Sequence, residues 1–416
     1  MRNHTGNTLS RFDQNSPIAL KTYNVDKLFN SQNRLTSIAT FLFIFVTNDT
    51  ILFTTRTLNL NNMIYFVYIC MLIYFLHSNP RIILKDKGFS LIILISIWLL
   101  FLMLVHNDFH LGYISRVIIL LLMLYFSKRI PFKLFCESFS KILFFFAFVS
   151  IILFFIVQFI PLIDLLPRFT NENGVQYTTI YIASIMLGRN TSIFREPGVF
   201  GIYLTVAILI ELYLNNEINY KRLIVFFFAV FTSYSTAAFI TSLIAVSFYL
   251  FSHQNYKSYM RSISKIFFIV IFFIAFKYLG DSFQNKISYG TDIIGGYTAR
   301  VSSVIVPIEI FLDKPFFGRG ISQFATDWAS YTYHTYGIPF NVGLFTNSIT
   351  IIFASLGIVV GIFYLFGIYK VSKMFGFSRL VIFLILLLSF SNENLLYSPL
   401  YNLLVVYGIT STAKNY

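Results

Sequence analysis

An all-α polytopic membrane protein is predicted by three observations. Apolar residues make up 57% of the 416-residue chain and charged residues only 12%, far below the share of an ordinary soluble domain. The apolar residues fall in runs long enough to cross a bilayer as helices of about 20 residues. Nothing in the chain has the short alternating segments of a membrane β-barrel. Two cysteines, Cys70 and Cys136, lie in or beside apolar runs and offer no disulfide framework or metal cluster.

Residues 1–34 are polar, carry Arg2, Arg11, Lys21, Lys27 and Arg34, and lack the apolar core of a cleavable signal, so they read as a cytoplasmic tail. The remainder, 35–416, reads as a single transmembrane domain. Its spans are expected near 35–48, 62–78, 89–105, 112–127, 142–163, 197–214, 223–233, 236–251, 266–280, 346–368, 379–391 and 395–411, about twelve helices. Only Thr232–Ala238, small and polar, divides 223–251 into two. The division is kept because it places Lys257, Arg261 and Lys265 on the same side as Lys370, Lys373 and Arg379.

With the N-terminus cytoplasmic, the basic residues obey the positive-inside rule, with both termini inside and ten of the 31 lysines and arginines outside. Seven of those ten are arginine, among them Arg116, Arg168, Arg189, Arg195, Arg300 and Arg319. Lysines dominate the inner segments, as topology signals would. The outer arginines suit planar, bidentate donation to phosphate and together suggest an outward-facing pocket for an anion. Because the +14 net charge is divided between two faces and forms no stripe, a nucleic-acid role is excluded.

Two outer segments are long enough to build such a pocket, 161–196 and 281–345. The first ends in Arg189-Asn-Thr-Ser-Ile-Phe-Arg195-Glu196-Pro197-Gly198-Val-Phe-Gly201, two arginines and a carboxylate just before an apolar run. Glu196 and Pro197 also fit the start of a helix, but the arginines oppose the positive end of one. An ionisable cluster at the mouth of a span is by default a candidate ligand site. The second segment is rich in glycine and aromatic residues, including Tyr297, Trp328, Tyr331 and Tyr333, and reads as an ordered, ligand-facing surface. Within it, Val301–Leu312 is amphipathic at helical spacing and is expected to lie along the membrane. Arg116 sits about one turn inside a span, where it either snorkels to the interface or meets a lipid phosphate. His334 is a loop histidine, a candidate substrate contact or a solvated side chain.

These residues resemble a family. The segment Arg189–Gly201 looks like the one preceding a central span in Wzy-type O-antigen polymerases of the bacterial inner membrane. The second segment is similar to the loop shared by the wider O-antigen polymerase and ligase superfamily. There an arginine, here Arg300, precedes an amphipathic helix and a Pro-x-x-Gly-x-Gly turn, here Pro315–Gly320. Asn347-Ser348, then Leu356-Gly357, and a short last outer turn, here Ser391-Asn392-Glu393-Asn394, complete the pattern over roughly residues 140–410. Two departures favour polymerase over ligase. Ser233-Tyr234-Ser235 stands where the superfamily often has an arginine, and Thr346 precedes Asn347 where ligases tend to carry a histidine.

The resemblance implies a GT-C-like glycosyltransferase architecture and glycosyl transfer between two undecaprenyl-pyrophosphate-linked oligosaccharides at the periplasmic face. A chain-length regulator is a candidate partner, besides membrane lipid. On this reading Arg189, Arg195, Arg300 and Glu196 are catalytic candidates, with Asp292, Asp327 and Glu393 as other carboxylates. Arg319, Arg116, Arg168, Asn347, Tyr297 and His334 are substrate-binding candidates. No cofactor is expected, and the absence of an Asp-x-Asp pair, a His/Cys cluster or a phosphate-cradling lysine loop makes the expected reaction metal-independent. The alternatives are an O-antigen ligase and a lipid-linked oligosaccharide flippase. The chain has no internal repeat of the kind a transporter of two similar halves would carry.

Overall fold

The computed structural model describes residues 36–51, 67, 68, 70, 87–159, 166–170, 176–179, 183–186, 188–215, 217–252, 297–336, 346–376 and 378–411, with backbone only at 87, 179, 297–301 and 336. The expected tail at 1–34, most of the span at 62–78 and all of the span at 266–280 lie outside the described residues, as does Asp292.

The described chain is mostly helical. In order come α1 (Thr36–Phe45), α2 (Lys87–Val105), α3 (Leu111–Arg129) and α4 (Phe132–Phe159). A small antiparallel sheet follows, with strands β1 (Arg168–Thr170), β2 (Gln176–Thr179), β3 (Ser184–Met186) and β4 (Arg189–Ser192) in that spatial order. Then come α5 (Pro197–Leu209), extended by a π-helical turn at Ile210–Leu214, α6 (Tyr220–Ser233) and α7 (Thr236–Ser252). The chain ends with α8 (Tyr297–Asp313), α9 (Ile321–Tyr336), α10 (Ser348–Ser372), α11 (Arg379–Phe390) and α12 (Pro399–Thr410). Among the described residues, five helices are long and apolar enough to cross a membrane: Gly88–Val105, Leu111–Arg129, Phe132–Phe159, Pro197–Leu214 and Ser348–Phe375. Four shorter ones, α1, α7, α11 and α12, are apolar as well.

The helix expected at Val301–Leu312 is found as part of α8, while two features go beyond the sequence reading: the four-stranded sheet between α4 and α5, and helix α9 after α8.

Burial ranks the helices by position. α5 is apolar all round and every residue in it except Gly198 is buried, which makes it the central helix. α2 is equally apolar but exposes Leu94, Ile97, Phe101 and Leu104, a stripe at helical spacing that suits lipid contact. Lipid offers no hydrophobic drive for helix association, so close approach at small residues does the packing. Gly201 is such a point: a Cβ there would lie 2.4 Å from the Ala238 Cβ on α7. Gly408 is another, with the Gly367 carbonyl of α10 2.1 Å from where its Cβ would be.

α10 is broken at Gly357, whose φ of 78° and ψ of −179° are not helical. The break frees backbone groups that must find partners away from water. Pro315–Gly320 supplies them: the Arg319 and Gly320 amides donate to the Ala354 and Ser355 carbonyls at 2.9 Å each, and the Ile358 amide donates to the Pro315 carbonyl at 2.8 Å. Gly318 and Gly357 meet backbone to backbone, where neither could carry a side chain. The Pro-x-x-Gly-x-Gly turn and the Leu356-Gly357 pair are therefore two halves of one joint.

Connections gather at two ends. At one end, Ser322 of α9 donates through its amide and hydroxyl to Asp108 in the α2–α3 turn, at 2.9 and 2.7 Å. At that end also lie the sheet, the α6–α7 turn, the segment 47–51 and the α11–α12 turn. At the other end, the Tyr407 hydroxyl donates to the Ile130 carbonyl at 2.8 Å, and buried Glu211 pairs with Arg222 at 3.1 Å and accepts from Ser140. These are the two sets that alternate crossing of a membrane requires.

Candidate functional site

β4 and the start of α5 form the base of the site. Asn190 anchors β4: its amide donates to Ser150 of α4 at 3.1 Å and to Thr232 of α6 at 3.0 Å, and its carbonyl oxygen accepts the Ser192 amide at 3.0 Å. Arg189, one residue earlier, reaches the α6–α7 turn and donates to the carbonyls of Ser233 and Tyr234 at 3.3 and 3.2 Å. Tyr234 holds a left-handed conformation, φ 51°, uncommon for a residue with a side chain. The polar interruption that divides 223–251 is thus the seat of an arginine.

Glu196 is the N-cap residue of α5, with Pro197 at the first helical position. Its carboxylate makes no capping bond. Gly198 faces Glu393 of the α11–α12 turn so closely that a Cβ would lie 1.8 Å from the Glu393 Oε1. The Glu393 carboxylate is thereby seated at the positive end of α5, where negative charge is favoured. The turn is held from below by Ser348, whose hydroxyl donates to the Glu393 carbonyl at 2.5 Å and accepts the Leu395 amide at 2.7 Å.

A cavity of about 230 Å³ opens between these elements. Arg189, Glu196, Gly198 and Glu393 line it, together with Ser303 of α8 and Thr346 ahead of α10, whose hydroxyls are hydrogen-bonded at 2.7 Å. One cationic group, two carboxylates and several hydroxyls therefore share a small polar space at the end of a buried apolar helix. Such a set can bind an anionic or hydroxylated ligand and exchange a proton with it. Among the described residues, no three histidine, cysteine, aspartate or glutamate side chains gather to hold a metal ion.

The other predicted residues lie around or away from this cavity. Arg195 is behind it: its Nη2 donates to the Asn394 carbonyl at 2.7 Å, and the Tyr177 hydroxyl donates to the Arg195 backbone carbonyl at 2.5 Å. Burial disfavours its charge, but Glu196, Asp49 and Glu393 more than offset this and raise its pKa, so it stays protonated. Arg319 pairs with Asp313 at 3.2 Å and Asp327 at 3.0 Å beside the helix-break joint. Asn347 caps α10, accepting the Ile349 and Thr350 amides at 3.1 and 3.2 Å. Arg116 is buried, 3% exposed, with its guanidinium carbon 5.0 Å from the centre of the Tyr397 ring. Arg168 is exposed on the edge strand β1, and His334 is exposed in the last turn of α9 against Tyr333. Arg300 and Tyr297 fall in the first turn of α8, and their side chains lie outside the described residues.

Sequence reasoning underrated Glu393 and overlooked Asp49, Ser303 and Thr346. An acid just beyond the end of an apolar run was a readable signal for Asp49. The cavity neighbours of Glu393 were not readable, because they come from elements far apart in the chain. No family model matches the chain, and a search of curated proteins returns no match.

Proposed function

We propose that the protein is a Wzy-type O-antigen polymerase of the bacterial inner membrane. It would have about twelve spans, a GT-C-like architecture and the cavity on the periplasmic side. The observation that carries this reading is the composition of the cavity wall. Arg189, Glu196 and Gly198 come from the first segment that resembles the polymerases, Ser303 from the second, Thr346 from the position just before the Asn347-Ser348 pair, and Glu393 from the last outer turn. Segments that share no local contact meet at one polar cavity, which a chance likeness between loops does not require.

The reaction is a substitution at an anomeric carbon. The hydroxyl oxygen of the incoming repeat unit attacks that carbon, and its bond to the pyrophosphate oxygen breaks. The bonding pair leaves with the phosphate, and the hydroxyl proton passes to a carboxylate. Glu196 is the proposed base, since its carboxylate makes no bond to the helix it precedes. Glu393, seated at the helix N-terminus, holds the cavity wall and orients the acceptor. Arg189 faces the negative charge that develops on the leaving oxygen, and a fixed donor of this kind is worth about 3 kcal/mol in a partly dry site. A cavity of about 230 Å³ is smaller than sites that enclose a drug-sized ligand, so it takes the reacting end of a substrate whose remainder lies outside.

Arg189→Lys tests the reading. Lysine keeps the charge and loses the planar fork. The expected result is loss of polymer by about 100-fold or more at normal protein level, as for removal of one transition-state donor. A full polysaccharide ladder would remove Arg189 from the chemistry.

A further inference from the structure

Asp49 takes no part in the proposed chemistry, yet it is 2% exposed. Its segment is clamped beside the exit of β4. The Ile51 amide donates to the Ile193 carbonyl at 2.9 Å, the Arg195 amide donates to the Asp49 carbonyl at 2.8 Å, and Thr50 bridges Phe194 in antiparallel fashion. The carboxylate then draws in two further elements: Oδ2 accepts the Tyr203 hydroxyl of α5 at 2.8 Å and the Ser398 hydroxyl ahead of α12. Burial pushes the Asp49 carboxyl up from its ordinary value, and the Arg195 charge is the largest opposing influence.

This arrangement holds one short turn at both of its ends. Arg195 grips the carbonyl of Asn394, and Asp49 grips the hydroxyl of Ser398, four residues later. Glu393, immediately before, can sit against Gly198 only while that turn keeps its place. Asp49 meets Arg195 through the backbone and directs its carboxylate to the Tyr203 and Ser398 hydroxyls, so geometry is what this residue supplies. We propose that Asp49 is a positioning residue, which acts through Arg195 and Ser398 to fix the turn that carries Glu393 into the cavity. Its link to catalysis rests on the function proposed above, whereas its hold on the turn does not.

Asp49→Asn keeps the size of the side chain and removes its charge. Ser398→Ala releases the far end of the turn without touching a charge, and serves if the first variant is poorly produced. Two readouts are taken on the full-length protein: hydrogen–deuterium exchange over 391–398 in detergent, and polymer made by cells carrying each variant. We expect faster exchange in that segment for both variants, with a fall in polymer of about 10- to 100-fold, the cost of a small misplacement of a reacting group. We also expect Asp49→Asn and Arg195→Lys together to lose no more polymer than the worse single variant. Unchanged exchange at 391–398 overturns the proposal, and so do losses that simply multiply in the double variant. Faster exchange with undiminished polymer retains the positioning of the turn and refutes the catalytic role assigned to the cavity.

Discussion

A side chain at Gly198 would need the space that the Glu393 carboxylate occupies. Alanine there must push the carboxylate or the helix start aside, since a Cβ contact of 1.8 Å cannot exist. Gly198→Ala is therefore expected to lower polymer output by about 100-fold while protein level stays normal, the scale of a 1 Å misplacement near reacting groups. Measuring both in cells that carry the variant checks it, and a normal ladder would show that Glu393 does not need this seat. At this scale the sequence was legible in kind but not in partnership. Glu196-Pro197 reads correctly as a helix start, whereas the bonds of Arg189 to the Ser233 and Tyr234 carbonyls were not readable. Arg195 looked equivalent to Arg189, yet the chain turns its side chain to the Asn394 carbonyl. Side-chain direction at the end of a strand depends on neighbours that no local pattern names.

Among the elements, α10 depends on its break. Gly357 needs a left-handed φ of 78°, and a Cβ there would meet the Phe316 carbonyl oxygen at 2.2 Å. Gly357→Ala should cost about 1–3 kcal/mol through backbone strain and should loosen Pro315–Gly320. The check is a lower thermal midpoint in detergent together with faster proteolysis in that turn. An unchanged midpoint would mean that the joint yields without cost. The positions of most helices were legible because long apolar runs leave few alternatives. α9 was not, because its buried residues Phe324, Trp328 and Thr332 lie among exposed polar and aromatic ones that read as a binding surface. The sheet was not legible either, since strands of three or four residues are too short to show alternation.

For the whole molecule, the grouping of connections at two ends makes orientation testable. In a background without Cys70 and Cys136, Tyr333→Cys and Lys133→Cys place single thiols at exposed positions, one on α9 and one on α4. A membrane-impermeant thiol reagent is expected to label position 333 in intact spheroplasts and position 133 only after permeabilisation. The reverse pattern would invert the chain and put the cavity on the cytoplasmic side. Charge bias supplies the expected orientation, because short loops keep their lysines and arginines on the side that does not translocate. The convergence of the outer connections on one cavity was not legible, because it is set by helix packing across the whole bundle. The same convergence supports the functional reading.

The most direct test of that reading is a gel of surface polysaccharide from a strain lacking the gene, with and without the gene restored. A polymerase predicts a core carrying a single repeat unit and no ladder, with the ladder returning on restoration. Long polymer accumulating on its lipid carrier beside a bare core would contradict this and mark a ligase. Absence of both polymer and single-unit core would contradict it as well, and mark a flippase.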